Sequence, residues 1–528
     1  MKKNIFAMSA ILMASAIVTT ACSNDNEIAS EQSSRPQTYT VVIEASKGEA
    51  TAPLDEVRGD DAADTPNTRA LSLDGKTLNA TWAVGEAVTV YNATTGTAIE
   101  GTLSAQSSGA NTTLTGTLTG TIDVGDELTL KYLSPDYNKQ DGTLTGSATS
   151  IDKVCDYAEA TVTVKSIADG SITTTGIAAF ENRQAIVKFT LQDANGTAIT
   201  ASTLVVEVDN DSYSVLPAET TSELFVALPG FSSTKVSLFA KTETGWLSLE
   251  KSGTTFTNGQ YYSINAKMKQ TGTLPGKFSV GSTKQVHFSQ GNLQYVNSTW
   301  QFAEQQYKTL ETYTWSSDEC DLFCWETTNN YGTGEKCVTK TGASTDVVDW
   351  GANAISNGGN EANLWSTPTH DEWTYLFKNR PDAATKYGKA TVCGKQGLVV
   401  LPDSWTLPAG CRFESGLNDG LYDTNKYSEE QWIKMESAGA MFLPITYYNV
   451  RTDTNNSPAA ARTADVETRA VYFTETAGRY WSSTAAQSST ATISEYAFSI
   501  YYDKSTLYCN YYGARYNGYS VRLVRQVQ

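Results

Sequence analysis

Thr38-Tyr39-Thr40-Val41-Val42-Ile43-Glu44-Ala45 is the stretch whose reading decides the fold. Polar and apolar residues alternate along it, so it is a β-strand with one face to bury. The same texture continues downstream. Ala87-Val88-Thr89-Val90-Tyr91, Leu128-Thr129-Leu130-Lys131-Tyr132 and Ala160-Thr161-Val162-Thr163-Val164 are short strands separated by Gly, Asn, Asp and Ser clusters. Residues 112–121 are almost only Thr, Gly and Leu, the chemistry of hairpins and edge strands. No helical period of any length precedes about residue 300, which is the pattern of an all-β sandwich. A second run opens near Ala179, with strong strands at Ala185–Leu191 and Leu204–Val208, and closes near Tyr262–Ala266. Gly272, Pro275 and Gly276 then mark residues 269–276 as a linker.

Working outward to the front, Lys2-Lys3 precedes an apolar stretch, Ile5 to Val18, that is too short to span a bilayer and reads as a signal peptide over residues 1–21. Val18-Thr19-Thr20-Ala21-Cys22 resembles the lipobox of bacterial lipoproteins, which implies lipidation of Cys22. The acidic stretch after it, Ser23-Asn24-Asp25-Asn26-Glu27, resembles a lipoprotein surface-export signal. Together they imply a surface-exposed protein anchored by lipid to the outer membrane, with residues 22–36 as a tether. No later segment reaches the roughly 18 apolar residues that span a membrane.

The formal net charge is −18, and a cut before Cys22 would remove Lys2 and Lys3 and make it more negative still. That argues against nucleic acid and anionic membrane surfaces as partners. With 40% apolar and 10% aromatic residues, the chain can build packed cores. Of the eight Cys, seven remain after Cys22: Cys155, Cys320, Cys324, Cys337, Cys393, Cys411 and Cys509. Their spacings are irregular, and the close pair Cys320-x-x-x-Cys324 reads as a local disulfide or buried thiols rather than zinc, since the two His, His287 and His370, are not nearby in sequence.

From about Gly276 the texture changes. Nine of the 11 Trp fall here. Two helices open with capping boxes, one at Thr369–Glu372 with Trp373, Leu376 and Phe377 on its apolar face, the other at Ser428–Gln431 with Trp432 and Met435. Strands are expected at 397–402 and 441–445. The last 51 residues, from Gly478, hold nine of the chain's 28 Tyr, with Ser, Gly and Asn interleaved. Tyr offers large, stiff contact area, and Ser, Asn and Gly offer adaptable hydrogen bonds. Leu507 to Tyr519 has no clean period and reads as a displayed loop, with Cys509 exposed in it. Phe498 and Ile500 are expected to face the core while Ser499 and Tyr501 face out, with Val521 and Leu523 as apolar framework. The candidate ligand-binding residues are Tyr480, Tyr496, Tyr501, Tyr508, Asn510, Tyr511, Tyr512, Arg515, Tyr516, Asn517 and Tyr519.

Catalysis is not expected. There is no Gly-rich phosphate loop, no His-Glu-x-x-His and no Gly-x-Ser-x-Gly, and two His leave little scope for acid–base chemistry. Asp318-Glu319-x-Asp321 and Asn418-Asp419-x-x-x-Asp423 are oxygen-rich, but they read as solvated turns, and no metal or cofactor is assigned.

Asn67-Thr68-Arg69-Ala70, Thr81-Trp82-x-x-Gly85 and Ala185–Phe189 resemble the fimbrillin-like pilins of type V pili over roughly residues 37–270. The resemblance implies two β-sandwiches, residues 37–178 and 179–270, and a lipidated precursor cut after an Arg, here Arg58 or Arg69. It also implies donor-strand exchange with other pilin subunits, a form of β-augmentation. Leu401-Pro402, Ala440–Pro444, Tyr480–Thr484 and Ser520–Arg525 resemble C-type-lectin-like domains of the formylglycine-generating-enzyme and fibrobacter-major-paralogue type, over residues 276–528. That implies an α+β body carrying ligand loops. The Tyr-rich tail resembles the variable region of proteins diversified by diversity-generating retroelements, which implies hypervariability.

The resulting expectation is a mainly β pilus-associated adhesin whose last residues form part of the head and leave no strand to donate, which favours a tip subunit. It would bind an unknown surface glycan or protein. The alternative is a surface glycan-binding lipoprotein that never polymerises. A remote one is a formylglycine-generating-type enzyme, for which Cys411 and Cys509 would be the cysteines.

Overall fold

The computed structural model describes residues 36–47, 50–51, 71–74, 77–233, 235–310, 319–325, 342–343, 345–446, 448–451, 469–472, 477–486, 493–494, 496–503, 505–515 and 517–527. The expected sites at Cys22, Arg58, Arg69 and Tyr516 lie outside these residues. The fold is mainly β.

The first sheet holds β1 (Gln37–Lys47), β2 (Ala87–Asn92), β3 (Thr97–Ala105), β4 (Asn111–Gly120), β5 (Glu127–Tyr132), β6 (Ala158–Ala168), β7 (Ser171–Thr175) and β8 (Ala178–Asn182). The order β6-β5-β2-β3-β4 is antiparallel throughout. β7 and β8 both pair with β6, and each also runs parallel to β1, so together they act as one broken strand. The other edge of β1 runs antiparallel to β4 from Gln37↔Gly120 to Ser46↔Asn111. The sheet is therefore closed on itself, and β1 is the seam. Strand alternation turns Tyr39, Val41, Ile43 and Ala45 inward, each at most 4% exposed, while Val42 between them is 52% exposed. The inward set packs on Leu103, Leu114, Leu118, Leu130 and Phe180 in one core. β3 and β4 approach closely where Gly101 and Gly116 lie, since a Cβ at Gly116 would sit 2.1 Å from the Thr102 carbonyl oxygen.

The chain changes sheet between Asn182 and Gln184, slightly beyond the expected 178/179 division. β9 (Gln184–Gln192), β10 (Thr203–Val208), β11 (Asp211–Val215), β12 (Glu223–Pro229), β13 (Lys235–Thr242), β14 (Gly245–Ser252) and β15 (Tyr261–Lys267) build a three-stranded sheet, β12-β9-β15, and a larger one that includes β11-β10-β13-β14. Val187, Phe189, Leu204, Val206, Val226 and Leu238 form the core of this unit.

Residues 269–276, read as a linker, are largely packed rather than solvated. Thr273 is 3% exposed and Leu274 fully buried, and Leu274 joins a core that runs from Val205, Phe239 and Trp246 into Phe278, Phe288 and Trp373. The second unit and the C-terminal part thus share one hydrophobic core, which leaves no room for a solvated hinge. Gln290 strengthens the joint by accepting from the Trp246 amide at 2.8 Å.

Beyond it, α1 (His370–Thr374) and α2 (Glu429–Ser437) begin with the two expected capping boxes, built on Thr369/Glu372 and Ser428/Gln431. β16 (Tyr387–Val392), β17 (Lys395–Val400) and β18 (Met441–Pro444) form a sheet together with Lys426–Tyr427. β19 (Gly478–Ala485), β20 (Tyr496–Tyr502) and β21 (Leu507–Ala514) form another in that order. The Cys320–Cys324 disulfide is not formed. Cys320 donates its thiol to the Leu322 carbonyl, while Cys324 is disulfide-bonded elsewhere.

Candidate binding face and seam

The Tyr-rich run expected as a loop is a strand. Residues 507–514 pair with Tyr496–Tyr502 from Tyr496↔Ala514 to Tyr502↔Leu507, with a bulge where Cys509 and Asn510 oppose Ile500. The bulge hides the two-residue period and changes which residues face out. Paired residues share a face, so Phe498 and Tyr512 project together on one side and Tyr501 and Tyr508 on the other. β20 itself keeps its alternation, so Phe498 lies on the side of Ile500 as expected but is only half-buried, while Ser499, on the opposite side, is covered at 1% exposed. Cys509 is buried beside Leu507 rather than displayed, and burial pushes its thiol up to about 11.

On the first side, Tyr512 meets Tyr496 and Phe498 edge-on, and His370 stacks on Phe498 with ring centroids 4.2 Å apart. His370 thus belongs to an aromatic cluster. On the second side, Tyr501 stacks on Tyr511 at 4.8 Å and on Tyr508 at 6.0 Å. Arg479 lies over Tyr501, Tyr511 and Tyr519, its guanidinium carbon 4.7 Å from the Tyr501 centroid. The Tyr501 hydroxyl donates to Asp503 at 3.0 Å. Burial, with that carboxylate beside it, pushes the phenol up to about 12. Sequence reasoning missed Arg479, although its place two residues into β19, opposite Tyr501, is the signal that finds it.

Of the expected ligand residues, Tyr496, Tyr508, Asn510 and Tyr512 are exposed, and Tyr501 and Tyr511 are half-buried. Tyr480, Arg515, Asn517 and Tyr519 have internal roles. The Tyr480 hydroxyl is fully buried and donates to the Pro444 carbonyl at 2.8 Å. Tyr519 packs on Trp481 at 4.3 Å, and Asn517 donates to the Tyr519 hydroxyl. Arg515 is 3% exposed, ion-paired to Asp346 at 2.8 Å and stacked over Trp325. Val521 and Leu523 are core residues as expected, but Ser520 and Arg522 between and before them are buried too, with Arg522 donating to Gln306 at 2.7 Å. Asp419 of the oxygen-rich turn is taken up by Lys389 at 2.6 Å. A separate cleft of about 1000 Å³ lies between Asn138, Ser214, Pro217, Trp405 and Lys434.

The seam has a chemistry of its own at its C-terminal end, which no pattern in the sequence announced. The fifth inward residue of β1 is Lys47, 7% exposed. Its ammonium lies 3.0 Å from Glu86 and 4.0 Å from Asp156, donates to the Thr81 carbonyl, and sits 3.8 Å from the Tyr132 centroid and 4.5 Å from that of Trp82. Tyr132 donates to the other Glu86 oxygen at 2.8 Å. Burial raises the Asp156 carboxyl to about 6, against the downward pull of Lys47.

No family model matches the chain, and no curated protein matches it. Among solved structures it is similar to a fimbrial protein from Bacteroides ovatus, at 11% identity over 93% of this chain and 99% of that one, with a TM-score of 0.22. A fimbrial assembly protein from Parabacteroides distasonis is 12% identical over 48% and 96%, with a TM-score of 0.23. The tip fimbrial protein Mfa3 from Porphyromonas gingivalis, truncated at its C-terminus, is 9% identical over 44% and 95%, with a TM-score of 0.22. Likeness at these identities and TM-scores carries no argument by itself, so function has to be argued from the chain's own residues.

Proposed function

We propose that this protein is the lipid-anchored precursor of a pilus-associated adhesin, held at the outer membrane through Cys22 and binding a surface glycan or protein through its tyrosines. The observation that carries the pilus reading is the seam. β1 is paired along both edges, contributes one inward residue in two to the first core, and precedes Arg58 and Arg69. A cut at either Arg would leave β1 held by noncovalent contacts alone, and its departure would open a groove lined by the freed edges of β4, β7 and β8. A strand from another subunit fills such a groove by the same ladder. A tip position is the finer part of this reading. Val524–Gln526 pairs with Gln285–Phe288 and Arg522 is buried, so these residues are committed to the protein's own core.

The adhesive surface narrows to Tyr496, Tyr501, Tyr508, Asn510, Tyr511 and Tyr512. If the tail is diversified, substitutions should concentrate at these positions and spare Tyr480, Arg515, Asn517 and Tyr519, which sequencing of codons 478–522 in a population grown from one colony reads directly. The lectin-like architecture of 276–528 remains part of the proposal.

The test is the Arg58→Ala/Arg69→Ala double variant on the cell surface. The reading expects an uncut protein absent from fibres. Unchanged incorporation into high-molecular-weight ladders would sink it. The competing reading is a non-polymerising glycan-binding lipoprotein, and the fully closed first sheet favours it, because the unit is complete without a partner. In that case neither variant nor wild type would enter fibres, while substitution of Tyr512 would still lower adhesion.

A further inference from the structure

We infer that the groove left by β1 accepts a strand from a second polypeptide that carries a Lys or Arg at the register of Lys47, held by Glu86 and Asp156. This rests on the strand-exchange reading above and adds the chemistry of the partner. Three of the five inward positions of β1, occupied by Val41, Ile43 and Ala45, are met by hydrocarbon and take any apolar side chain of suitable size, and Tyr39 packs in the same core while its hydroxyl donates to the Ile122 carbonyl at 3.3 Å. The fifth is different. The side chains of Lys47, Glu86 and Asp156 are 2%, 15% and 1% exposed, so all three charges are withdrawn from water. Among the described residues, no other Lys or Arg pairs with Glu86 or Asp156. The remaining neighbours do not replace the cation. Gln184 donates an amide to Asp156 at 3.3 Å, the Ala83 amide donates to Glu86 at 3.1 Å, and the nearby Asp152 adds negative charge and has its own partner in Lys153.

When β1 leaves, water reaches the carboxylates and the open groove is tolerable. An incoming strand that is apolar at this register seals them again without a counter-charge, and that desolvation is costly. A strand with a cation restores the ion pair and the contacts with Trp82 and Tyr132. Selection therefore works by rejecting the wrong strand, as in other interfaces that use an unpaired charge against a competitor.

The experiment uses the full chain with a site-specific protease sequence placed between residues 51 and 71. After cutting, labelled peptides spanning residues 37–47 are added, either with Lys47 kept or with Lys47→Met or Lys47→Arg. Exchange is followed by release of the original strand, and affinity by fluorescence anisotropy. The Lys and Arg peptides are expected to enter and to bind about tenfold or more tighter than the Met peptide. In Glu86→Gln/Asp156→Asn protein that gap should shrink, with Asp156→Asn alone as the second variant if the pair does not fold. Equal affinity of the Lys and Met peptides would overturn the cation requirement while leaving strand exchange standing. A gap that persists in the neutralised protein would overturn the assignment to these carboxylates. If no peptide displaces the cut strand, strand exchange itself fails, and this inference fails with it.

Discussion

Lys47 is nearly as buried as the apolar residues it follows, and Asp156 beside it is more so. Burial lifts the Asp156 carboxyl from an ordinary 3.8 to about 6. Between those pH values the folded chain holds a proton that the unfolded chain has released, so this group's contribution to stability falls as pH rises through that window. Asp156→Asn removes the loss. The stability difference between variant and wild type should therefore move in the variant's favour by about 1–3 kcal/mol from pH 4 to pH 7, measured by urea denaturation at both. A pH-independent difference would show that Asp156 is not the titrating group. At the tyrosine face, Tyr512 is 60% exposed. Tyr512→Ala should change stability by no more than about 0.5 kcal/mol and still reduce cell adhesion, whereas normal adhesion would move the binding site elsewhere. Arg479 is the residue that sequence reasoning passed over: among many tyrosines a single Arg carries no pattern, and only the β19–β20 register brings it over Tyr501 and Tyr511.

At the scale of elements, β1 was readable because its burial alternates over 11 residues and, Val42 apart, its apolar residues down to Ala45 are the buried ones. Ile43→Ala should cost about 2–5 kcal/mol, and Val42→Ala, one residue away on the outer face, no more than about 0.5 kcal/mol. Equal costs in urea denaturation would mean that β1 does not sit in the first sheet as described. β21 was not readable for a local reason. Its bulge puts two residues opposite Ile500 and shifts the alternation of β21 by one, so a strand looks like a loop. The helices were readable at their starts, because Thr369/Glu372 and Ser428/Gln431 meet their own backbone amides and need no distant partner.

For the whole molecule, the joint at residues 271–278 matters most. Leu274 is fully buried in a core shared by Trp246 of the second unit and Phe288 and Trp373 of the C-terminal part. Leu274→Ala should lower amide-exchange protection in β13 and β16 together. Loss confined to one of them would show independent units. For the same reason, deleting residues 276–528 would uncover Val205, Phe239 and Trp246, so point substitutions such as Tyr512→Ala test adhesion more cleanly than truncation. The tyrosine-bearing strands therefore rest on a core shared with the second unit, through Ile500, Tyr502 and Leu507, rather than on a hinge.

What the sequence alone determined follows from interactions between residues close in the chain: the β-rich class from period-two alternation, the helix starts from capping boxes, the excess of negative charge, and the concentration of tyrosine after Gly478. What only the tertiary structure decided depends on residues far apart in the chain. Closure of the first sheet needs Gln37–Lys47 to meet both Asn111–Gly120 and Ser171–Asn182. The buried Lys47–Glu86–Asp156 cluster gathers three charges from three separate segments, and the split of the tyrosines between two faces depends on one bulge. A strand's pattern states which side of it must be buried, but the partner that buries it, and the charge waiting in that partner, are set by the rest of the fold.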